Sequence, residues 1–90
     1  MLPEDLSPTT RLLVILSEWT RRYSLTYAEV QVLIIATQES TILSYVAKQR
    51  GVKTATVKKQ VQCISAKIKT RGLAQAIVKL LRELHTQRGS

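Results

Sequence analysis

Apolar residues recur along this chain at helical rather than alternating spacing, and with 3 Gly and 2 Pro the punctuation is sparse, so the pattern predicts an all-α fold. The first helix is expected from Pro8 to Tyr23, with Leu12, Leu16, Trp19 and Tyr23 on one stripe. Ser7 is placed to cap its free N–H groups, and Pro8 at the first position has no N–H to leave unsatisfied. Leu13, Val14 and Ile15 make one stretch apolar all round, so a short buried strand is the alternative there. The second helix begins at Thr26, where Thr26 and Glu29 have the spacing of a capping box. Val30, Leu33, Ile34 and Thr37 then share a face. Glu29 therefore has a structural role and is not a candidate catalytic acid.

The third helix is expected over Ser40–Arg50, burying Ile42 or Leu43 with Val46 and Ala47. Gly51 follows it, suited to the left-handed conformation that ends a helix. The fourth spans Thr54 to Lys69. Val57, Val61, Ile64 and Ile68 cluster within roughly 60° on a helical wheel. Opposite them lie Ala55, Lys58, Lys59, Gln62, Ser65, Ala66 and Lys69, a basic, amide-bearing face with small residues between the long ones. Arg71 and Gly72 break that helix, and a fifth runs from Leu73 to Thr86. The result is a small bundle of about five helices.

Charge changes this picture from a plain bundle to one with a partner. The 90 residues hold 14 Lys/Arg against 6 Asp/Glu, a net charge of +8 and a pI near 10.2. Residues 1–39 carry three basic against five acidic side chains, a net −2, whereas residues 40–90 carry eleven against Glu83 alone, a net +10. Solubility needs charge but not such segregation, so a polyanionic partner is the natural reason for it.

Helices three and four, joined through Gly51 and Val52, have the layout of a helix-turn-helix, whose second helix enters the DNA major groove. Lys58, Lys59 and Gln62 would read bases: Lys can donate to guanine O6/N7, and Gln can bond adenine bidentately. Lys53, Thr54, Thr56, Lys67, Lys69 and Arg71 stand where they would contact phosphates, which position a protein without reading sequence. The bland alternative is a solvated basic face on an ordinary bundle helix.

These residues also carry a family likeness. LTYAEVQVL at 25–33 is similar to the opening pattern L-T-x-x-E-x-x-V-L of the LuxR/GerE-type helix-turn-helix domain of bacterial transcription regulators. VAKQRGVKTATVKKQVQCISAKI at 46–68 resembles that family's core, I-A-x-x-L-x-I-S-x-x-T-V-K-x-H-x-x-x-I-x-x-K-L. The resemblance covers Leu25 to Val78. It implies base-reading positions at Lys58, Lys59 and Gln62, phosphate contacts from Thr56 and Lys67, and a dimerising role for helix five. The chain departs from the pattern at Gln60, Lys53 and Leu73, where the family commonly has His, a capping Ser and Arg. On this reading residues 25–88 form the DNA-binding domain. Residues 1–24 are an N-terminal helical extension within the same single compact domain, too short for the family's usual upstream domain, so the chain would be a free-standing effector or a fragment.

Helix five is more apolar than one buried face requires. Leu73, Ile77, Leu80 and Leu84 make one stripe, and Ala74, Val78 and Leu81 another beside it. Contact with a second copy is expected, with the dimer interface at Leu73, Ile77, Leu80 and Leu84; packing of helix one there within the monomer is the alternative. A C2 dimer would favour a pseudo-palindromic site.

Other chemistry finds no support. His85 has no carboxylate or nucleophile at sensible spacing, and one Cys with one His cannot make a structural zinc site. Cys63 is expected as a semi-buried small residue on the flank of helix four. Its solitary state excludes an internal disulfide framework and suits a reducing cytosol. The acidic, polar start MLPEDLSPTT is not a signal peptide, and the run Leu12–Leu16 is far short of the roughly 20 residues a membrane span needs. Trp19, with Tyr23 and Tyr27, fits core packing better than base stacking.

The expected function is a non-enzymatic, cytoplasmic regulator, without cofactor or metal, that binds double-stranded DNA as a homodimer. The rival is a protein-interaction module that sequesters another regulator or docks on RNA polymerase. Membrane binding is weaker still, because the basic face of helix four lacks bulky apolar residues to insert.

Overall fold

The computed structural model describes residues 8–89, and side chains over 9–85. The expected Ser7 cap lies outside the described residues. All regular structure within them is helical: α1 (Pro8–Tyr23), α2 (Tyr27–Gln38), α3 (Leu43–Arg50), α4 (Thr54–Ile68) and α5 (Leu73–Gly89).

The stretch Leu13–Ile15 is helical, not a strand. Helical flanks decide it, because α1 buries Leu12, Ile15, Leu16 and Trp19 on one face while Leu13 turns outward. These four join a single core with residues from every other helix, so α1 is part of the same packed body rather than an appendage.

Thr26 caps α2 as expected. Its Oγ1 accepts from the Glu29 N–H at 3.2 Å, and the Glu29 carboxylate accepts from the Thr26 N–H at 2.9 Å. The buried face is wider than the Val30–Thr37 stripe. Val32, Leu33, Ile35 and Ala36 are buried and Val30 and Ile34 half-buried, because α2 runs through the middle and packs on all four other helices.

α3 starts later than expected, at Leu43. Ser40 Oγ accepts from the Ile42 N–H at 3.1 Å, which holds the preceding residues in a turn. Of the two candidates for its first buried position, Leu43 packs on the core and Ile42 is exposed. α3 closes at Gly51, left-handed at φ 68°, with the Val52 N–H reaching back to the Ala47 carbonyl at 3.0 Å.

The same closure recurs where no glycine marks it. Ser24 (φ 55°) ends α1 with Leu25 N–H on the Thr20 carbonyl, and Lys69 (φ 58°) ends α4 with Thr70 N–H on the Ser65 carbonyl. α4 buries Val57, Val61, Ile64 and Ile68, the predicted stripe. Burying each such side chain is worth roughly 1.5–3 kcal/mol. That outweighs any exposed ion pair, typically under about 1 kcal/mol. Hydrophobic register therefore decides which face of α4 meets solvent.

Candidate nucleic-acid interface

With its apolar stripe fixed inward, α4 turns Thr54, Ala55, Lys58, Lys59, Gln62, Cys63 and Ala66 outward, all exposed. The three expected base readers thus share one open face with small residues between them. Lys58 and Lys59 carry no ion pair among the described residues. Cys63 is exposed on the same helix, not semi-buried as expected, because it falls about 100° from Ile64, the nearest residue of the core stripe, at about 100° per residue.

The expected phosphate contacts divide into two groups. Lys53, Thr54, Thr56, Lys69 and Arg71 are exposed around the two ends of α4. No side chain caps the start of α4, where Lys53 takes the N-cap position with extended backbone. Its first turn is therefore open to solvent, and a helix N-terminus favours anions. Lys67 is placed differently. Its ammonium lies 2.7 Å from Glu29 Oε1 and donates at 2.9 Å to the Ser24 carbonyl, so it faces α2 and the α1–α2 turn rather than the exposed face.

Lys48, on α3, escaped the sequence reading. It is exposed and has no ion pair among the described residues. The signal that could have found it is its position in the first helix of the pair, the one that crosses the DNA backbone in a helix-turn-helix. Arg50, beside it, is committed to the Gln60 side-chain oxygen at 2.6 Å, a bond that ties α3 to α4. Lys79 is also taken up: it donates to the Ile68 carbonyl at 3.3 Å and stands 5.2 Å from the centre of the Tyr23 ring.

The α5 stripe assigned to a second copy lies inside the monomer. Leu73, Ile77 and Leu80 are buried and Leu84 packs half-buried against the same core, because α5 packs on α1, α2 and α4. What remains outside is the neighbouring stripe, with Ala74, Val78 and Leu81 exposed, the last two at 47% and 49%. A shallow depression of about 510 Å³ runs beside it, lined by Thr9, Leu12, Thr37, Gln38, Leu81 and Leu84, with no residue from α4.

His85 is exposed, and no group of three or more potential metal ligands occurs among the described residues. Among the described residues, no helix is long and apolar enough to cross a membrane. No protein-family model, curated protein or solved structure matches the chain, so its function has to be read from its own residues.

Proposed function

We propose that the chain binds double-stranded DNA in a sequence-selective way, with α3 and α4 acting as a helix-turn-helix and α4 lying in the major groove. One observation carries this reading: Lys58, Lys59 and Gln62 stand together on the exposed face of α4 while Val57, Val61, Ile64 and Ile68 hold its other face in the core. An α-helix of about 10–12 Å diameter fits a groove roughly 12 Å wide. Two long ammonium donors and an amide can reach base edges there, and Ala55 and Ala66 let the backbone approach.

Supporting cations surround that face. Lys48, Lys53, Lys69 and Arg71 are exposed and free of ion pairs among the described residues. They would neutralise phosphates on either side of the groove. No acidic residue occurs between Ser40 and Arg82 to repel the backbone.

A homodimer completes the proposal, with the Ala74–Val78–Leu81 stripe of α5 as its contact in place of the core-facing stripe. Two recognition helices related by a two-fold axis would read half-sites about 34–36 Å apart. The resemblance to LuxR/GerE-type regulators agrees with both parts. Binding to selected and scrambled duplexes tests the reading: Lys58→Ala and Gln62→Ala should each cost about 1–3 kcal/mol on the preferred site and relax the base preference.

A further inference from the structure

Lys67 belongs to the helix that would read DNA, yet its charge is engaged on the other side. Glu29 is 4% exposed and is the buried charged residue among those described. A carboxylate so placed keeps its charge only with a counter-charge and hydrogen-bond donors. Its Oε1 accepts from the Thr26 N–H at 2.9 Å and from Lys67 Nζ at 2.7 Å. The same ammonium donates to the carbonyl of Ser24, the left-handed residue that ends α1. One side chain thus joins the last turn of α4 to the α1–α2 turn and to the first turn of α2.

The other end of α4 is held by the Gly51–Lys53 turn and by the Arg50–Gln60 bond. Between these anchors lie Lys58, Lys59 and Gln62. Gln62 follows the Lys53 pivot by roughly 13 Å along the helix axis at 1.5 Å per residue. A tilt of about 5° about that pivot, once the C-terminal anchor is released, would move it by about 1 Å, enough to lose a base contact that needs hydrogen-bond distance.

We propose that Lys67 is a positioning residue: through Glu29 and Ser24 it sets the angle of α4, and it does not count among the cations that neutralise phosphate. The inference rests on the DNA-binding reading above and sharpens it. It also replaces the phosphate role expected for Lys67 from the sequence.

The test is anisotropy titration of the full chain, wild type and variants, on a selected and a scrambled duplex over a salt series. Lys67→Gln should weaken the selected duplex about tenfold, leave the scrambled one within about twofold, and leave the salt slope unchanged. Lys67→Arg should restore selectivity. Glu29→Gln keeps every cation and an oxygen for the Thr26 N–H, and should lower the selected-to-scrambled ratio in the same way. If Lys67→Gln does not fold, Glu29→Gln decides alone. Equal losses on both duplexes with a slope smaller by about 0.9 would make Lys67 a phosphate contact and overturn the proposal. So would Glu29→Gln binding as selectively as wild type. A wild-type chain that binds neither duplex overturns the DNA reading and this inference together, a pattern distinct from the other two.

Discussion

The indole N–H of Trp19, a wholly buried side chain of α1, donates to Glu83 Oε1 on α5 at 2.8 Å. Glu83 is the one acid in residues 40–90, and Arg22 stands 3.9 Å from the same oxygen. The bond lets the core hold its largest side chain without stranding a donor, and it fixes α1 on α5. Trp19→Phe opens a cavity and leaves a half-buried carboxylate short of a donor, at a cost of about 2–3 kcal/mol. Glu83→Gln keeps an acceptor and should cost less than about 1 kcal/mol. Denaturant unfolding of the two variants checks this, and equal losses would contradict it.

Helix ends offer a second test. Ser24 holds a left-handed backbone at φ 55°, a conformation costing a residue with a Cβ about 1–2 kcal/mol. Ser24→Gly should raise stability by about 0.5 kcal/mol after the entropy of glycine is counted. Gly51→Ala should lower it by about 1 kcal/mol. A Cβ at Gly51 would meet nothing within 4 Å, so that cost comes from the backbone alone. Thermal melts with both shifts in one direction would count against the assignment.

Alkaline pH acts on the start of α3. The Tyr45 hydroxyl donates to Glu39, and that bond, with a smaller push from desolvation, holds its pKa above the ordinary tyrosine value. A group whose pKa is raised by folding stabilises the fold while protonated. Its contribution is complete below the unfolded value, near 10, and is lost as pH rises through the folded one. Spectrophotometric titration should show Tyr45→Phe removing a late-titrating phenol. Tyr23 departs the other way: burial raises it, but hydrogen bonding with Lys79 and Arg22, helped by their charges, wins, so Tyr23→Phe should remove an early one.

The proposed dimer turns on Val78 and Leu81. A carboxylate at either exposed site should leave the monomer folded and abolish self-association, whereas Leu80→Glu should unfold the chain, because Leu80 is wholly buried. Sedimentation equilibrium of wild type and Leu81→Glu decides between them. Two monomers of equal mass would remove the dimer from the proposal.

Much of the fold was legible in the sequence. The inward stripe of α4, the Thr26–Glu29 box and the Gly51 turn follow from spacing and residue type, and each is local. What failed to show was mostly tertiary, with two local exceptions. Ser24 and Lys69 close helices without glycine, and neither residue type signals that role. Both α5 stripes are apolar, so only the placement of α1, α2 and α4 decides which is covered. Lys67 reads as one more cation on a basic helix until Glu29, 38 residues away in sequence, is brought to its ammonium. The Lys58–Lys59–Gln62 face was readable because one helix suffices to build it.

Salt dependence tests the central claim most directly. Anisotropy titration of the wild-type chain on duplex DNA, from low to physiological salt, should give log K falling linearly with log salt. With four to six of the exposed cations engaged, the slope should lie between about −3.6 and −5.4. A folded chain that binds no duplex at about 50 mM salt, or that binds with a slope near zero, would contradict it.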